Sequence, residues 1–134
     1  FYKAEYCVDK YCLNGHAYSR EDFIVEISNL KNYLVTEYLK PHVDLAKYSP
    51  NVTNCFRYLA ARVDGKLEMI KGYIRFGTKE SGYVENYNIG GVLCLLDDTG
   101  NFYEGNVIDK TNWTNRKIGG HPDTGLSLQG QIPL

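Results

Sequence analysis

No apolar run in this sequence approaches the roughly 20 residues that a membrane helix requires, and no charged segment leads into an apolar one at the N-terminus. Neither a spanning helix nor an export signal is expected. Net charge is almost absent too: 15 basic side chains against 16 acidic ones leave −1 and a pI near 6.3, which offers no electrostatic footprint for nucleic acid. There is no internal repeat, low-complexity tract or linker, so residues 1–134 are expected to form a single domain around one core. Cysteine is sparse. Cys7, Cys12, Cys55 and Cys94 could pair as two disulfides, and Asn51-Val52-Thr53 and Asn112-Trp113-Thr114 match the glycosylation pattern. With no leader, the reading is reduced thiols in a cytoplasmic protein, with Cys55 and Cys94 packing as small hydrophobes inside apolar strands. Cys7, Cys12 and His16 lack a fourth ligand at matching spacing, so no metal site is expected.

What is present is the mixture of a soluble globular chain, 43% hydrophobic and 23% charged, with 12 tyrosines read as half-buried packing rather than as a base-stacking platform. Phe1 to Leu13 alternates loosely like a strand and carries Lys3; Asn14-Gly15 signals a turn. Ser19 is expected to cap a helix whose first turn holds Glu21 and Asp22 and whose Phe23, Ile24, Ile27 and Leu30 recur at helical spacing towards the core. Tyr33 to Leu39 reads as a short apolar strand with one carboxylate, Glu37, which needs a salt bridge, an exposed edge or a ligand amino group as partner. Pro41 to Pro50 reads as a connection with one helical turn at Val43 to Lys47.

The strongest local signal is Asp64-Gly65 between two β-rich runs, Thr53 to Val63 and Lys66 to Gly77, which sets up a two-residue hairpin. Arg57 and Arg75 fall near the far end of that hairpin. Two guanidiniums converging there suit a phosphate or carboxylate, and two exposed surface arginines are the plainer alternative. Tyr83 to Leu96 runs from a polar loop carrying Glu85, Asn86 and Asn88 through Gly90-Gly91 into an apolar strand, either as a ligand loop or as an ordinary turn. Asp97 to Gly100 reads as a turn, Asn101 to Val107 as the return strand of a second hairpin, and Lys110 to Leu134 as an extended loop containing His121, read as structural rather than catalytic. The fold class is therefore α+β, a mainly antiparallel sheet of about five strands with one main helix.

Several of these stretches occur in the order seen in one family. LVTEYLKPH resembles the strand and hinge before the nucleotide pocket of the ATP-grasp ligases, in particular the sugar-transfer-associated branch. VTNCFRYLAA is similar to that branch's Asn-Thr-Ile-Arg strand; GYIRFG and VENYNIGGV resemble its Arg strand and Asp-Asn-x-x-x-Gly-Gly loop, and HPDTG and QIPL its later loop. The resemblance covers most of Leu34 to Leu134 and implies a partial ATP-grasp domain, its central to C-terminal part.

By that resemblance Glu37 receives the adenine amino group and the Tyr38-Leu39 backbone lines the adenine. Lys3 corresponds to the lysine of the ATP-binding strand, although no glycine-rich loop follows it. Arg57 and Arg75 face phosphate or an acyl phosphate, and Asn86 with the Gly90-Gly91 backbone sits beside the transferred phosphoryl. Glu85 stands where the family has Asp, which keeps the carboxylate and lengthens its reach. The family's magnesium ligands, an Asp and a Glu-x-Asn after the Ile-Pro segment, are not reached before Leu134. The expectation is thus an ATP-dependent ligase in polysaccharide or cell-envelope biosynthesis that uses ATP, magnesium and a small carboxylate in the full-length protein. This piece alone would bind no cofactor, be inactive, and self-associate. The alternative is a noncatalytic module contacting a glycan or protein partner.

Overall fold

The computed structural model describes residues 2–132, which group into two compact units that part after Tyr38. In the first unit, β1 (Ala4–Cys7), β2 (Lys10–Leu13) and β3 (His16–Tyr18) form an antiparallel meander followed by helix α1 (Arg20–Ser28). The Asn14-Gly15 turn appears as expected: both residues are left-handed, at φ 52° and 83°, as a type I′ hairpin needs. Asn14 also ties back to the chain before β1, its N–H donating to the Lys3 carbonyl at 2.8 Å and its Oδ1 accepting from the Lys3 N–H at 2.7 Å. A second tight turn at Val8-Asp9 splits the anticipated first strand in two. It has the same two left-handed residues, at φ 35° and 62°, without the glycine or asparagine that announces such a turn.

Ser19 caps α1, its Oγ accepting from the Asp22 N–H at 3.0 Å. The helix does not face a core as anticipated, however: none of its residues is buried. Its partners in this unit are β2 and β3, strands of 4 and 3 residues, too short to cover an apolar stripe; the Phe23 ring lies 5.3 Å from that of Tyr11. Tyr33 to Leu39, expected as a strand, is irregular and exposed throughout. It joins no described ladder, and a strand without a ladder has nothing to pair its backbone groups.

The second unit begins with a helical turn, α2 (Val43–Ala46), that buries Leu45. The remaining strands are β4 (Cys55–Val63), β5 (Lys66–Phe76), β6 (Val92–Leu96), β7 (Asn101–Phe102), β8 (Gly105–Asp109), β9 (Thr114–Ile118) and β10 (Gly130–Gln131). Five of them make the expected antiparallel sheet in the order β4-β5-β6-β8-β9, and β7 pairs with β10 in a separate ribbon. Asp64 and Gly65, at φ 48° and 81°, form the hairpin turn read from the sequence.

Two readings are corrected here. The return strand anticipated over Asn101 to Val107 breaks at Tyr103-Glu104 into β7 and β8, because the Asp97 carboxylate gathers the Thr99 and Asn101 N–H groups and the Tyr103 hydroxyl and bends the chain. The stretch after Lys110 is not one long loop. It contains β9 and β10; β9 reads TNRKI, a polar edge strand with no apolar alternation to reveal it.

Strand alternation divides the sheet into unlike faces. Ile74, Phe76, Val92 and Cys94 point to one side, where they are sealed with Phe102 and Leu128 at 0–1% exposure. Tyr48 lies against Phe76, ring centroids 4.7 Å apart, and its hydroxyl donates to the Ser127 carbonyl at 3.0 Å. His121 closes the same core at 1% exposure. Its Nε2 meets the Gly77 carbonyl at 3.0 Å and its Nδ1 accepts from the Asp123 N–H at 3.3 Å, while burial holds the ring below its ordinary pKa. This histidine is a structural ring, as its loop context suggested.

Candidate functional site

The opposite face of the sheet carries Cys55, Arg57 and Arg75. Cross-strand partners share a face, and the register pairs Arg57 with Tyr73 and Cys55 with Arg75, so the two arginines lie diagonally on one side of the hairpin at its end away from the turn. A β-bulge makes this possible. Counting regularly from the Val63–Lys66 pair would set Arg57 opposite Gly72 and turn Arg75 to the other face; Ile70, the extra residue opposite the Leu59–Ala60 step, shifts the register by one and brings both guanidiniums together.

Arg75 is anchored. Its Nη2 donates to Glu85 Oε1 at 2.6 Å and to Cys55 Sγ at 3.3 Å, and the Cys55 thiol donates to the same Glu85 oxygen at 3.0 Å. Only 13% of the Arg75 side chain and 18% of the Glu85 side chain is exposed. Burial alone would raise the Glu85 carboxyl, but bonds from Cys55 and from the backbone, with the Arg75 charge, outweigh it and hold the acid below its usual range. Burial likewise opposes the Arg75 charge, and Cys55 and Glu85 more than restore it. The Arg75 Nε–H is buried without a partner among the described residues, which leaves one donor unused. Arg57 is different. Its side chain is exposed, with no hydrogen-bond or ion-pair partner among the described residues.

Cys55 does not pack as a small hydrophobe, as its strand context suggested; Cys94 does, fully buried and pushed up to about 12 by that burial. The signal for Cys55 was its place two positions before Arg57, hence on the same strand face, but linking it to Arg75 requires knowing the bulge.

The loop before β6 holds Glu85 in place. Asn86 Oδ1 accepts from the Asn88 N–H at 3.0 Å and caps a single 3-10 turn, Tyr87–Ile89, which ends at Gly90 in the left-handed region at φ 111°. Gly91 has a second reason to be glycine: a Cβ there would lie 2.6 Å from the Glu85 carbonyl oxygen and 2.9 Å from the Asn86 carbonyl carbon. Both N–H groups turn inward, from Gly90 to the Tyr87 carbonyl at 3.3 Å and from Gly91 to the Asn86 carbonyl at 2.9 Å. The glycine pair folds the loop tightly onto itself rather than presenting free N–H groups.

Of the residues assigned to adenine, Leu39 accepts from the Thr53 hydroxyl in the second unit. In the first, the Lys3 ammonium pairs with Glu5 at 2.9 Å and lies 5.5 Å from the centre of the Tyr38 ring, while Glu37 is exposed. An arginine pair with an unused buried donor and an exposed guanidinium fits phosphate or carboxylate oxygens. Magnesium is not fitted: among the described residues no group of three His, Cys, Asp or Glu could hold a metal ion. Nor is any described helix long and apolar enough to cross a membrane.

A family model described as sugar-transfer associated ATP-grasp matches residues 8–133. Neither the curated proteins nor the solved structures contain a match to the chain.

Proposed function

Because the chain belongs to the sugar-transfer associated ATP-grasp family, we propose that it supplies the anion-binding face of an ATP-dependent ligase, which activates a small carboxylate as an acyl phosphate and passes it to an amine or related nucleophile in cytoplasmic polysaccharide or cell-envelope synthesis. The observation that carries this reading is the bulged register that sets Arg57 beside Arg75 on the open face of the sheet. Arg57 contributes a mobile guanidinium to the phosphate or acyl phosphate oxygens. Arg75, fixed by Glu85 and Cys55, contributes a rigid one that needs no reorganisation when charge develops. Asn86, Gly90 and Gly91 act beside the transferred phosphoryl by shaping the loop that holds Glu85 on Arg75. Lys3, Glu37, Tyr38 and Leu39 serve the nucleotide, Glu37 accepting from the adenine amino group. ATP supplies the phosphoryl group, and the magnesium that accompanies it is held by residues other than the described ones.

Isothermal titration of the product of the complete reading frame with a nonhydrolysable ATP analogue and magnesium tests this. Saturable binding that competes with ATP supports the proposal; no heat at millimolar analogue removes the nucleotide from it.

Self-association belongs to the same proposal. At one end of the sheet β4 pairs with no further strand among the described residues and presents an edge with exposed Tyr58 and Leu59. A monomer at every concentration in analytical ultracentrifugation would contradict it.

A further inference from the structure

Cys7 and Cys12 lie on neighbouring strands of the β1–β2 hairpin. The register pairs Cys7 with Lys10 and Cys12 with Glu5, so the two cysteines are diagonal neighbours on one face. Diagonal positions sit at the outer limit of disulfide reach, and the twist of a tight two-stranded ribbon shortens one diagonal. The neighbouring Cys12 thiol, with burial, lifts the Cys7 thiol above its ordinary value. His16 pairs with Leu13, the residue next to Cys12, and therefore points to the opposite face; the cysteine-histidine grouping suggested by spacing is not a ligand set. Two thiols remain together, with no third metal ligand beside them among the described residues.

The turn between them is the second observation. Val8 and Asp9 are both left-handed, at φ 35° and 62°, a conformation that β-branched valine strongly disfavours, and Val8 is 94% exposed with nothing packed on it. A strained turn with an uncovered valine has little of its own to hold it. A cross-strand bond immediately behind it would.

We propose that Cys7 and Cys12 are a covalent modification site, a dithiol that glutathione disulfide oxidises to a cross-strand disulfide. The half-buried Cys7 meets the oxidant first, since Cys12 is only 8% exposed. The Cys7 thiolate attacks one sulfur of glutathione disulfide, forming a mixed disulfide and releasing one glutathione. The Cys12 thiolate then attacks the Cys7 sulfur, forming the protein disulfide and releasing the second. Two electrons pass from the cysteines to glutathione disulfide, and the two thiol protons end on the two glutathiones. The inference rests on the hairpin alone and is independent of the ligase proposal.

Trypsin cleaves after Lys3, Lys10 and Arg20, so the cysteines fall on separate peptides, residues 4–10 and 11–20. The native protein is equilibrated in glutathione buffers of rising oxidised fraction, blocked with N-ethylmaleimide, digested without reductant and weighed by mass spectrometry. The expected result is one linked species joining those two peptides, growing with the oxidised fraction and lost on reduction. In Cys12→Ser, glutathione stays on Cys7 because the resolving thiol is gone. Both peptides recovered singly with the maleimide across the whole series would overturn the proposal. So would persistent glutathione on wild-type Cys7, or linkage of Cys7 to another peptide. The wild-type map alone decides, even if the variant fails to fold.

Discussion

On one face of the five-stranded sheet Ile74, Phe76, Val92 and Cys94 are sealed from water at 0% exposure; on the other, set by alternate residues, Arg57 stands open and Arg75 is mostly buried in an ion pair. The sealed face is held by packing, in which any apolar residue of the right volume serves. The open face is held by bonds between specific atoms, and its arrangement depends on the register shift that absorbs one extra residue in β5. The same strands therefore supply a scaffold that tolerates repacking and a site that does not.

The largest way to break that contrast is to remove volume from the sealed face. Phe76→Ala is expected to cost about 3–5 kcal/mol, because the Tyr48, Phe102 and His121 rings around it cannot collapse into the gap. A lowered urea midpoint at unchanged slope would report it.

Breaking the ion pair should cost less. Glu85→Gln leaves Arg75 mostly buried without its counter-charge, an expected loss of about 1–3 kcal/mol. Acid acts on the two faces in sequence. His121 on the sealed side is held below its ordinary 6.5, so the unfolded chain takes a proton that the folded one refuses, and stability begins to fall as pH drops below 6.5. Glu85 is held below its ordinary 4.5; its contribution is full above 4.5 and is lost as pH falls through the depressed value. Urea titrations at successive pH values should show both steps, the second smaller in Glu85→Gln, where Asp97, held below its ordinary range by bonds from Asn101 and Thr99, still contributes.

The parts legible in the sequence were those with local chemistry. Asp64-Gly65, Asn14-Gly15 and the Ser19 cap each fix a turn or helix start through their own backbone preferences. What was hidden depends on neighbours. Val8-Asp9 makes a turn without a turn residue, β9 is an edge strand whose polar side chains carry no alternation, and Tyr33 to Leu39 has strand composition but no ladder. Arg57 and Arg75 could be placed near one end of the hairpin from spacing alone. Their common face could not, because a bulge leaves no mark in composition, and Cys55 stayed hidden with it.

That bulge yields the smallest expected effect. Deleting Ile70 removes the unpaired residue while keeping Val63 opposite Lys66 and Arg57 opposite Tyr73, so stability should change by no more than about 1 kcal/mol. A loss as large as that of Phe76→Ala would mean that Ile70 is not the extra residue.

The most direct test sets one arginine of β4 against another. Arg57 lies on the open face, Arg62 on the opposite one, and each substitution by alanine removes one positive charge from the same strand. Titration of the product of the complete reading frame with a nonhydrolysable ATP analogue and magnesium should find Arg57→Ala weakened about tenfold or more, roughly 1.4 kcal/mol, with Arg62→Ala binding as the unmodified protein does. Equal affinity in all three, or equal weakening in both variants, would contradict the assignment of the open face as the anion-binding site.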